Sequence, residues 1–90
     1  MAATPEGFAT FQAEVVATKG ECQAGHRKGQ VMELSCWDAG GMCGYFYHDI
    51  FPTVQTLQFG GVIPWAPDGQ ITLECPDRLN AVTIVLQKKA

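Results

Sequence analysis

Apolar and polar positions alternate in two stretches of this 90-residue chain. In FATFQAEVVAT, residues 8–18, Phe11, Ala13 and Val15 fall on one side of an extended backbone, and Val16 and Ala17 continue the apolar run. A period of two predicts a first strand. Near the other end, AVTIVLQ (81–87) places Val82, Ile84 and Leu86 on one side and Thr83, Val85 and Gln87 on the other, which predicts a last strand. Two shorter runs, VMELS (31–35) and ITLE (71–74), also read as strands.

The period changes in the middle. Between about Tyr45 and Phe59, a step of about 100° per residue gathers Phe46, Leu57, Ile50, Val54 and Tyr47 on one broad face, with Asp49, Thr53, Thr56 and Gln55 outside it. This predicts a helix. Pro52 interrupts it by lacking an amide hydrogen and crowding the carbonyl of His48. The segment is therefore a kinked helix, or a short turn at 44–50 followed by a helix with Pro52 in its first turn. Gly60–Gly61 stops it in either case. The loops carry turn chemistry: 20–29 after the first strand, the Gly40–Gly41 pair before the helix, GVIPWAPDGQ after it and CPDRLN before the last strand.

The order β-β-α-β-β predicts a single small α+β domain over 1–90, with a loose lead-in at 1–7. Its core is a mostly antiparallel sheet of about four strands packed on one central helix, or a partly open barrel plugged by that helix. So short a chain buries a modest core, and a homodimer would add burial at an edge strand or aromatic face.

Charge narrows the partners. The formal net charge is -3, and the basic residues are scattered, so no stripe tracks a phosphate backbone and nucleic acid is not expected. No apolar run has the length of a membrane span. MAATPEGFAT lacks the basic-then-apolar pattern of a signal peptide, so the expected compartment is the cytoplasm.

Four cysteines then matter more than their number suggests. In a reducing compartment clustered cysteines bind metal or react; in an oxidising one they would form two bridges in one of three pairings. Cys22 and His26 lie in the first loop, Cys43 just before the helix and Cys75 at a strand end. Elements' ends are where a sheet scaffold brings distant residues together. If these four converge they supply three thiolates and an imidazole, a tetrahedral set suited to structural zinc, with iron or copper less suited. Were only three to bind, an open position would serve a small-molecule ligand or a reaction.

A cofactor-free enzyme is the competing reading. The helix dipole favours a thiolate at Cys43. His26 or His48 would act as base or proton shuttle, Asp77 would orient an imidazole, and Tyr47 would donate to an oxyanion in a pocket lined by Tyr45, Tyr47 and Trp65. A third reading is a dimeric accessory protein whose cysteines only fill space, and Cys36 beside Trp37 fits that description best. Phosphate-loop patterns and paired carboxylates are missing from the sequence.

GECQAGHRKGQ, CGYFYHDIFPTVQTLQFGG and CPD, in that order over residues 20–77, together resemble a small prokaryotic family of uncharacterised proteins of about ninety residues, this chain's own length. The resemblance implies that Cys22, Gly25, His26 and Gly29 match a first motif. It implies that Cys43 and His48, with Pro52, Leu57, Phe59 and Gly60, match a second, and Cys75, Pro76 and Asp77 a third. Cys36 has no counterpart. The resemblance sharpens the site and brings no activity with it.

Overall fold

The computed structural model describes residues 2–89. Strands β1 (Phe11–Ala17) and β2 (Val31–Leu34) precede a helix, α1 (Gly44–Gln58), and strands β3 (Ile71–Glu74) and β4 (Thr83–Lys88) follow it. The strands form one sheet in the order β2-β1-β4-β3, antiparallel at every pairing. The fold is thus α+β with an open sheet. Of the two expected closures the barrel does not form, and β2 and β3 remain edges.

Register explains the layers. Across the sheet Ala13 stands opposite both Met32 and Leu86, Val15 opposite Ile84, and Ile71 opposite Leu86. All of these are buried, with Phe11 and Leu34. Phe46, Ile50 and Val54 of α1 join them in the same core. The alternation at Phe11, Ala13 and Val15 and at Ile84 and Leu86 therefore marks the face that α1 covers. The other face carries Gln12 opposite Glu33 and Gln87, and Glu14 opposite Val31 and Val85, and is largely solvated. The doubled valine has its own consequence: the β1–β4 register shifts between Val15 and Ala17, so Val16 is an extra residue and the strand bulges there.

The helix is one unbroken element with Pro52 inside it, so the turn-then-helix alternative is set aside. Both Pro52 and His48 are exposed. The His48 carbonyl, deprived of an amide partner four residues on, therefore faces water rather than the core, which keeps the cost of the proline bearable.

Polar ties fasten α1 to the segments that flank β1 and β2. Gln58, at the end of α1 and buried, accepts from the Cys36 amide at 3.1 Å and donates to the Ala9 carbonyl at 2.9 Å. Tyr47 donates to the Ser35 carbonyl at 2.6 Å. Gly40 turns the chain from β2 toward α1 with φ at +65°, and any side chain there would run into the Glu33 carbonyl. Trp65 is 79% exposed and lines a shallow hollow with Pro52, Thr53 and Thr56, one that Tyr45 and Tyr47 do not line. Among the described residues no helix is long and apolar enough to cross a membrane.

Candidate functional site

Three separate segments are tied together through the first loop, one of them the N-terminus of α1. The first is the loop between β1 and β2. Gly25 donates to the Cys22 carbonyl at 3.0 Å and Gln30 to that of Arg27 at 3.0 Å, so two tight turns follow one another. Gly25 and Gly29 both have φ near +90° with open space where a side chain would sit. They are glycines for backbone reasons rather than for want of room. At its far end the loop is fastened to β1, through Gly29 to Val15 and Val15 to Gln30, each at 2.8 Å.

His26 joins this loop to the second segment. The Cys43 amide donates to Nε2 of His26 at 3.0 Å, and Nδ1 lies 3.0 Å from Oε1 of Gln30. Because Nε2 accepts, the ring proton sits on Nδ1 and is donated to the glutamine oxygen. His26 is 6% exposed, and both its nitrogens are engaged. Cys43 is the N-cap of α1, its side chain makes no cap bond, and no acidic residue lies in the first turn.

The third segment is the loop after β3. Lys19 and Gly20 of the first loop donate to the Asn80 carbonyl at 2.8 and 3.1 Å. Asp77 shapes the segment: its carboxylate accepts from the Leu79 amide at 3.1 Å and from the Asn80 side chain at 3.0 Å. Its amide in turn donates to Sγ of Cys75 at 3.5 Å.

Cys75 is buried. Burial is the main cause that pushes its thiol up; the Asp77 amide bond opposes this, and the charges of Cys43, Asp77 and Cys22 add to it. Cys75 therefore lies within electrostatic reach of both other thiols. Cys22 and Cys43 are half-buried against the same core. All four cysteines are free, so no bridge staples the fold. Among the described residues, no three His, Cys, Asp or Glu form a group that could hold a metal ion.

The remaining candidates lie elsewhere or are occupied. His48, five residues beyond Cys43, is turned roughly 140° around the helix from it. It lines a different hollow of about 470 Å³ with Tyr47, Phe51 and Pro52. The Tyr47 hydroxyl is spent on the Ser35 carbonyl, and its pKa is raised by burial, then by the charges of Cys36 and Asp38. Cys36 sits beside the Gln58 tie, and burial raises its thiol. Gln30, which fixes the His26 ring, was not among the residues that the sequence singled out; its place four residues after His26 in AGHRKGQ was the available signal.

Searches of protein-family models, curated proteins and solved structures find no match to this chain.

Proposed function

We propose that this chain is a small cytoplasmic metal-binding protein in which Cys22, Cys43 and Cys75 supply thiolates to one ion, zinc before iron or copper. What supports the reading is that Cys22, Cys43 and Cys75 pack against one core from segments tied to each other through the His26–Cys43 bond and the Asn80 carbonyl, with the charges of both other thiols acting on Cys75. Deprotonating thiols that act on one another's charge is unfavourable without a cation, and a divalent ion of borderline softness supplies it. The amide bond from Asp77 to the Cys75 sulfur fits a thiolate ligand, since donors to sulfur orient and tune metal-bound thiolates.

Binding requires the thiols to turn toward a common point. His26, bonded to the Cys43 amide, is the candidate nitrogen donor; taking the fourth position means giving up either that amide or Gln30. While it keeps both bonds, that position is left to an external ligand. When bound, the ion would add folding free energy of the kind that structural zinc supplies in zinc-finger peptides, about 10–16 kcal/mol. A cofactor-free Cys/His enzyme draws less support, because Tyr47 and Asp77 spend their polar atoms on the fold and His48 lines a separate hollow.

Elemental mass spectrometry on untagged protein, purified without added metal or chelator, tests the reading. Free thiols are titrated in the same sample. The expected result is near one zinc per chain, with the thiols protected until chelation. No metal together with freely reacting thiols at Cys22, Cys43 and Cys75 would sink it.

A further inference from the structure

The first loop builds a second feature beside the thiols. Its two turns enclose a cleft of about 400 Å³, lined in part by Thr18, Glu21, Cys22, His26, Arg27 and Lys28. That volume suits a small metabolite and exceeds what a bare ion needs. The protein as a whole is acidic, with a formal net charge of -3, yet two cations stand side by side on this wall against one carboxylate, Glu21. Among the described residues the ion pairs are Arg78 with Glu74 and Lys89 with Glu33. Neither Arg27 nor Lys28 has a carboxylate partner there, so neither cation is neutralised within the described fold.

The loop is also rigidly placed. It is fastened to Asn80 on one side and to Val15 on the other, with His26 pinned between the Cys43 amide and Gln30. Two long cationic side chains on a fixed backbone give a ligand with an oxyanion a forked guanidinium and a mobile ammonium to bind.

We propose that this cleft binds a small organic oxyanion, a molecule carrying a phosphate or carboxylate group, held by Arg27 and Lys28 beside the Cys22 sulfur. The anionic group meets the two cations, and the remainder of the ligand occupies the cleft between Thr18 and His26. The site rests on the cleft and its charges alone, so it stands or falls separately from the metal.

Amide chemical shifts of isotope-labelled protein test this during titrations with inorganic phosphate, ribose 5-phosphate and succinate at constant ionic strength, with sodium chloride as the control. The expected result is saturable movement of amides within residues 18–28 for a phosphate or a carboxylate probe, and the stronger of the two assigns the anion class. Ribose 5-phosphate binding tighter than inorganic phosphate would show that the cleft holds more than the charged group. An Arg27→Gln/Lys28→Gln double variant should lose at least tenfold in affinity, whereas Lys88→Gln should not. Both variants change exposed positions, and their amide spectra report directly whether the fold is kept. Shifts that fail to saturate with every probe, or saturable binding that survives the double variant, would overturn the proposal. Metal content measured on the same samples shows separately whether the thiol site is loaded.

Discussion

The amide of Cys43 donates to Nε2 of His26 across 17 residues of sequence, and this bond at 3.0 Å fastens the first loop to the start of the helix. Both residues belong to the constellation that the sequence suggests, but their link is backbone to ring rather than thiol to ring. Replacing His26 by Ala leaves the Cys43 amide without its partner and the Gln30 side chain with only the longer bond, 3.4 Å, from the Arg27 amide. Destabilisation of about 1–3 kcal/mol is expected from urea unfolding. His48→Ala, at an exposed helix position, should stay within about 0.5 kcal/mol of the parent. Equal losses at the two histidines would contradict the bonding described.

The metal reading makes a selective prediction among four chemically similar residues. Cys22→Ser, Cys43→Ser and Cys75→Ser should each lower zinc content to well below half of the parent value, measured by elemental analysis per folded chain. Cys36→Ser should leave it unchanged, because Cys36 lies at the Gln58 tie instead. Loss of metal in all four variants, or in none, would remove the site from these three sulfurs.

Alkaline conditions should weaken the metal-free fold. Burial raises the Cys36 thiol, and burial first, then the charges of Cys36 and Asp38, raise the Tyr47 phenol. Groups raised in the folded state hold their protons more tightly there than in the unfolded chain. Their contribution is therefore complete below the unfolded values, about 8.5 for the thiol and about 10 for the phenol. It is lost as pH climbs from these through the folded values. The urea midpoint of chelated protein should fall between about pH 8 and about pH 11, and a Cys36→Ala/Tyr47→Phe variant should show a shallower decline. The same slope in both proteins would place the titration elsewhere.

Backbone geometry gives a sharper test at Gly40. With φ at +65° and the Glu33 carbonyl in the way, Gly40→Ala meets both conformational strain and a main-chain clash. A loss beyond about 4 kcal/mol is expected, seen as failure to give a cooperative melt by circular dichroism. Gly41, with φ at +89° and open space around it, meets strain alone, and Gly41→Ala should cost about 1–2 kcal/mol.

Pro52 points the other way. It sits in the interior of α1 on an exposed position, where its missing amide leaves the His48 carbonyl without a helical partner. Pro52→Ala restores that bond and should stabilise the protein by about 1–3 kcal/mol, read as a higher melting temperature. A lower melting temperature would mean that the ring packs in a way that its exposure does not suggest.

The alternation at Phe11, Ala13 and Val15 marks the buried face in the sequence itself, because a strand's period of two is local. Whether the sheet closed into a barrel was not legible, since closure depends on which edges meet, and Leu34 and Ile71 carry no mark of that. Gln58 escaped notice for a related reason. A buried glutamine is defined by its partners, here Cys36 and Ala9, both remote in sequence. At the site, the placement of Cys22, Cys43 and Cys75 at element ends followed from the strand pattern. The ties from Lys19 and Gly20 to the Asn80 carbonyl had no sequence signal, because backbone bonds carry no side-chain signature. Asp77 stood out for its neighbour Cys75, while its carboxylate is occupied in shaping its own loop.

The two central strands of the sheet come from opposite ends of the chain: Phe11 stands opposite Lys88, and Val15 opposite Ile84. Each edge strand has only its central neighbour to pair with. The middle of the sheet therefore cannot assemble until residues 83–88 have been synthesised, and the β1–β2 pair made earlier must wait with one flank open. Folding of this chain should be a late, all-at-once event with slow, non-local closure rather than a stepwise growth from its first strands.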